Sequence, residues 1–179
     1  MKKRIYILFT FFFPILVAAQ SWKINPAGTT IGFVIKNAGI SVDGNFKGLS
    51  GEINFDNKEL SKSFFNVSID ASSVNTDNTK RDAHLKKKEY FDVVTYSKIT
   101  FKTKSITPGS EGKYIAAGDL TIKGKTKEIK FPFTFTPNAS GGTFQGSFTL
   151  NRLDFGVGES SWILSDDAMI SLVVAVIKP

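Results

Sequence analysis

The sequence predicts an all-β fold, an antiparallel barrel of about eight strands with one short helix. Apolar and polar residues alternate with period two along most of the chain, turn-forming residues separate the alternating runs, and one interval alone breaks the rhythm. Such a pattern fits a sandwich or a barrel. Full closure is the expectation, because it removes the unpaired strand edges that template aggregation.

Taken in order, the first alternating run places Ile31, Phe33 and Ile35 on one face, and Ile53 and Phe55 form a shorter one. Phe65, Val67 and Ile69 then stand opposite Asn66, Ser68 and Asp70. Between Asn75 and Phe91 alternation lapses, and Asn78 or Thr79 is placed to cap a short helix reaching about Lys88. On that helix Arg81 and Leu85 share a face, as do Lys80 and His84, and Asp82 lies in the first turn where the helix dipole favours an acid. Strand rhythm resumes with Ile99 and Phe101. It is clearest in Ile129, Phe131, Phe133 and Phe135, and again in Phe144, Gly146, Phe148 and Leu150. Asp43-Gly44, Pro108-Gly109, Lys123-Gly124 and the stretch from Pro137 to Gly142 read as chain reversals. Pro132 has no N–H to give a ladder, which predicts an edge, a bulge or a strand end there. The last strand, Met169 to Ile177, is apolar on both faces, so its outer face calls for cover from the helix or a second subunit. Self-association as a homodimer is the form such cover would commonly take.

The chain opens with Lys2, Lys3 and Arg4, an apolar stretch from Ile5 to Val17, and small residues at Val17-Ala18-Ala19. This is the pattern of a signal peptide spanning residues 1–19, leaving a domain of residues 20–179. The apolar stretch includes Thr10 and Pro14 and is shorter than the roughly 20 residues a spanning helix needs. The expectation is a soluble periplasmic or secreted protein with no integral membrane segment after processing. Cleavage lowers the formal charge from +7 to +4. A domain of about 160 residues buries enough surface for one sizeable core without disulfides.

Chemistry is sparse. There is no cysteine and one histidine, His84, so thiol catalysis and sites built on several histidines are ruled out. No nucleophile elbow, Walker loop or dinucleotide fingerprint occurs, and Asp166-Asp167 stands alone without a calcium loop around it. Neither catalytic residues, metal nor cofactor is expected. No basic stripe or RNA-binding motif is present, and nucleic acid is not an expected partner. Phenylalanine is the unusual component: of 17 in the chain, Phe9, Phe11, Phe12 and Phe13 leave with the leader, and most of the rest read as inward-facing. An eight-stranded barrel is just wide enough to be filled by side chains or to hold one small ligand. Periodicity therefore leaves a filled core and an apolar lumen equally open.

Several stretches resemble the YceI-like family of exported, lipocalin-like proteins. The most specific is Arg81-Asp82-x-His84-Leu85, followed by Tyr90-Phe91-Asp92 and Tyr96 before Ile99-x-Phe101. Gly118-Asp119-Leu120-Thr121-Ile122-x-Gly124-x-Thr126-Lys127 is similar to its second signature, and Gly44-x-Phe46-x-Gly48 with Gly51-x-Ile53-x-Phe55-Asp56 to its early hairpin. Ser97, Lys125 and Glu128 depart from the family's usual residues at loop and strand-edge positions.

The resemblance implies a lipocalin-like barrel that encloses a long polyisoprenoid or fatty-acyl amphiphile, with its tail in the lumen and its polar head near one end. On that reading the tail contacts are Phe33, Ile35, Phe55, Val67 and Ile69 from the first half, and Phe101, Phe131, Phe133, Phe135 and Phe148 from the second. Arg81 and His84 are the head-group candidates, one to pair with an anion and the other to donate a hydrogen bond. The alternative is a scaffold or protein-interaction domain with a filled core, acting through its exterior. A lipid-directed enzyme has no residue constellation in its favour.

Overall fold

A computed structural model describes residues 21–178. The leader expected at residues 1–19 lies outside the described residues. The strands are β1 (Ser21–Ile24), β2 (Thr30–Asn37), β3 (Ile40–Phe46), β4 (Ser50–Asn54), β5 (Phe64–Asp70), β6 (Lys98–Pro108), β7 (Tyr114–Ile122), β8 (Lys125–Pro137), β9 (Gly141–Asn151) and β10 (Leu164–Ile177). Among the described residues the one α-helix, α1, is Thr79–Leu85.

Ten strands make an eight-stave barrel because two staves are broken. β1 and β2 lie end to end along one edge of β10: Lys23 and Ile24 pair with Ile177 and Val176, and Thr30 to Asn37 pair with Val173 to Leu164. Pro26–Gly28 forms the tight turn between them. β4 pairs with β1 and β3 with β2, so these too are halves of one stave. From β4 the ladder runs through β5, β6, β7, β8 and β9 to β10, antiparallel at every step, and the β1–β10 pairing closes the ring. The expected closed barrel with one short helix is the fold observed.

Local chemistry explains most of the boundaries. The Asn78 side chain accepts the Arg81 N–H at 3.0 Å, and Asp82 in the first turn accepts the Thr76 N–H and hydroxyl at 2.9 and 2.6 Å. The helix stops at Leu85, a turn short of the expected Lys88. Lys123 (φ +50°) and Gly124 (φ +72°) reverse the chain between β7 and β8 as expected. The Asp43-Gly44 reversal is corrected: the turn falls earlier, at Ala38 (φ +50°) and Gly39 (φ +79°). Gly44 sits inside β3, where a Cβ would come within 2.2 Å of the Phe33 ring lying over it. Its role is space for an aromatic rather than a turn.

Pro132 lies inside β8, yet it marks a local edge. The β8–β9 ladder runs from Pro137↔Gly142 to Phe133↔Gly146 and stops there. Beyond it the two strands are joined by side chains, with the Phe131 and Phe148 rings stacked at 5.0 Å.

β10 begins at Leu164, earlier than expected, and points Ile170, Leu172, Val174 and Val176 inward. Its outer face is not covered by α1. The Pro26–Gly28 turn lies there instead: the Asn25 N–H donates to the Ala175 carbonyl at 2.8 Å, and the Ala175 N–H donates to the Thr29 hydroxyl at 3.2 Å. Met169, further along, remains half exposed.

Candidate functional site

The inward faces of the strands do not meet everywhere. At one end the barrel is filled by aromatic rings. Phe55 stands 5.0–5.7 Å from Tyr114, Phe133, Phe135 and Phe144. Trp22 packs on Phe135 at 5.2 Å, with its indole N–H donating to the Phe55 carbonyl at 2.9 Å. Aromatic pairs of this kind hold together by ring electrostatics as well as by area. Phe55 is 2 % exposed and Val176 2 %.

Above this plug the interior is open, forming a cavity of about 550 Å³ with a predominantly apolar lining. That size falls within the range of small-molecule sites. Inward-facing Phe33, Ile35, Val67, Phe101, Ile129, Phe148, Ile170 and Leu172 are only half buried although they point to the barrel axis. A packed core would bury them completely. Their residual exposure is exposure to the void.

The end opposite the plug is the mouth, where Asn37, His84, Ser161 and Ile163 line the cavity and also reach solvent. The barrel splits here between β3 and β5, which share no ladder, and residues 71–97 fill the split. That segment is pinned at its start by Asp70, whose carboxylate accepts the Ser72 hydroxyl and N–H at 2.8 and 2.9 Å. Those two bonds hold the Asp70 carboxyl below its ordinary pKa. An Asn45–Asn75 backbone bridge ties the segment to β3, with N–H···O distances of 2.9 and 3.0 Å.

Arg81, His84 and Leu85 of α1 and Tyr90 and Phe91 beyond it all face the cavity. Arg81 Nε donates to the Thr76 hydroxyl and Nη2 to the Thr76 carbonyl, each at 2.8 Å. A guanidinium carries five N–H donors; these contacts fix its plane and leave the others unspent among the described residues. His84 stands edge-on to Tyr90 at 5.0 Å.

Ten of the residues expected at the site thus line one cavity: Phe33, Ile35, Val67, Ile69, Arg81, His84, Phe101, Phe131, Phe133 and Phe148. Phe55 and Phe135 do not. They point inward as their alternation requires, but at a depth where rings interlock and no lumen remains. Period-two patterning gives the direction of a side chain and not its height along the axis.

Arg152 was not among the expected residues and is the most heavily bonded group at the mouth. It is 5 % exposed and lines the cavity. Its Nε donates to Ser165 O at 2.9 Å, Nη1 to Val157 O at 2.8 Å, and Nη2 to Glu159 O at 2.8 Å and to Asp166 Oδ1 at 3.1 Å. These bonds gather the whole 157–166 rim around one cation. The local sequence carries one signal of this, Asn151 capping a short turn that Gly156 (φ +66°) ends.

Among the described residues no cluster of three or more His, Cys, Asp or Glu could hold a metal ion, and no helix is long and apolar enough to cross a membrane.

A closed antiparallel barrel around a predominantly apolar cavity is an architecture of the lipocalin-like kind. Residues 22–176 match the model of the YceI-like domain, and the chain belongs to that family. It is 31% identical over 162 residues to a UPF0312 protein of Vibrio parahaemolyticus, covering 84% of this chain and 86% of the relative. The crystal structure of Burkholderia cenocepacia BcnA superposes with a TM-score of 0.78 at 28% identity, covering 85% of this chain and 98% of that one. A polyisoprenoid binding domain from Saccharophagus degradans, at 18% identity, shares the fold with a TM-score of 0.69 over 90% of this chain and 99% of its own.

Proposed function

We propose that the protein is exported, sheds residues 1–19, and carries a long apolar lipid without altering it. The ligand class is a polyisoprenoid or fatty-acyl amphiphile, its tail in the cavity and its polar head at the mouth beside Arg81 and His84. One observation carries the reading: an incompletely filled, predominantly apolar interior that reaches solvent beside Asn37, His84, Ser161 and Ile163. Each buried methylene contributes about 0.8 kcal/mol, so a tail of about ten supplies roughly 8 kcal/mol against the costs of association. The family relationship and the polyisoprenoid-binding description of a protein with this fold support the choice of ligand class. A protein-interaction domain with a filled core is the weaker reading, because the core has a void.

Titration of the purified protein with a prenyl alcohol and with its phosphate ester tests the proposal. Saturable one-to-one binding of both is expected, with the anionic ester held more tightly through Arg81. Arg81→Ala loses the two bonds to Thr76 and with them about 1–2 kcal/mol of stability. In a sample that remains folded, it also removes the preference for the ester while leaving the alcohol's affinity nearly unchanged. If the preference survives the substitution, Arg81 is a structural tie only. If neither compound binds the parent protein, carriage is wrong.

A further inference from the structure

Phe65, Phe133 and Phe144 belong both to the cavity lining and to the aromatic plug. Their ring centroids form a triangle with sides of 5.3, 5.5 and 6.1 Å, set across the barrel from β5, β8 and β9. Beneath it a second layer, Phe55 and Phe135, meets the Phe144 ring at 5.3 and 4.5 Å, and Trp22 backs that layer. All three floor rings are buried, Phe133 at 3 % exposure; one level higher Val67, Phe101 and Phe148 are only partly buried and border the void, while Phe131 is still buried against Phe148. Below these three rings no described residue lines the cavity: Phe55, Phe135 and Trp22 pack ring on ring instead.

We infer that the Phe65–Phe133–Phe144 floor is a ruler that selects ligands by chain length. This rests on the carriage reading and adds to it which residues discriminate. A tail that enters from the mouth gains contacts with every added carbon until its end meets the floor. Further carbons cannot pass between rings at van der Waals contact, so they must fold back or remain in water. Below the limit each methylene tightens binding about fourfold, and above it the gain disappears. Phe144 is the best point to move the limit. It bridges the two aromatic layers and is cross-strand partner to Val174, which also lines the cavity.

The experiment measures affinities for saturated fatty acids of increasing length in the parent protein and in two variants of opposite sign. Phe144→Ala opens the floor onto Phe55 and Phe135, and the length at which affinity levels off moves out by about three to five carbons. Val174→Phe raises the floor and draws that length in by a similar amount. Trp22 and Trp162 are the two tryptophans of the chain, so Trp162→Phe leaves Trp22 as a reporter below the floor. A fatty acid brominated at its terminal carbon then quenches Trp22 strongly in the Phe144→Ala background and weakly without it. Should Phe144→Ala fold poorly, Phe144→Leu and Val174→Phe carry the same comparison. A levelling-off length that is the same in parent and folded variants, or an affinity that rises without levelling, overturns the ruler and leaves carriage standing. A parent protein that binds no fatty acid of any length and no prenyl alcohol overturns carriage, and the ruler with it.

Discussion

Arg152→Met lowers unfolding stability by about 3 kcal/mol and loosens the rim of the cavity while the barrel itself stays closed. Methionine keeps much of the apolar stem and removes the guanidinium. The carbonyls of Val157, Glu159 and Ser165 then lose a charged donor at 2.8–2.9 Å, in a place where the donor was 5 % exposed. A carbonyl left unpaired away from water costs about 1–3 kcal/mol, although loops of the rim can turn some of these toward solvent. The ion pair with Asp166 matters less, because that carboxylate is 38% exposed and is screened. Asp166→Asn is accordingly nearly neutral. Arg152→Lys keeps the charge but cannot span carbonyls on both sides of the turn, and falls between parent and methionine variant. Denaturant unfolding gives the stability, and hydrogen exchange at residues 157–166 shows where protection is lost. A methionine variant as stable as the parent would show that Arg152 does not organise the mouth.

Val67→Trp weakens ligand binding by at least about fifty-fold and leaves the fold intact. Val67 lies midway along β5, paired with Phe101, and faces the cavity between the mouth and the floor. Filling a packed core with an indole would cost 1–3 kcal/mol of strain. Here the ring enters space that is already vacant, so the melting temperature holds or rises. The ligand loses the contacts of at least three methylenes, about 2.4 kcal/mol, and binding weakens by at least about fifty-fold. The opposite pairing of effects, a large fall in stability with unchanged binding, would mean that the interior at this level is a tightly packed core.

Much of this architecture is legible in the sequence. Alternation in Ile129-x-Phe131-x-Phe133 places those residues inward, and of the two caps read, Asn78 and Thr79, Asn78 is the one that caps α1. Lys123-Gly124 reverses the chain because its backbone angles leave little choice. These are local properties, governed by neighbours a few residues away. What the sequence hides depends on distant partners. Gly44 looks like a turn until the Phe33 ring is seen to occupy the place of its side chain. Phe55 and Phe135 share the inward face of the cavity residues, but their height puts them in the plug. Arg152 looks like a surface cation in a polar turn, and its partners lie up to fourteen residues further on.

Native mass spectrometry of the protein recovered from cells, with extraction of what accompanies it, tests the central claim most directly. The parent is expected to carry one apolar lipid per chain, visible as a discrete added mass that organic solvent removes, and Val67→Trp to travel bare. A parent protein that emerges at the mass of its polypeptide alone, and takes up no lipid when offered it, would contradict the account.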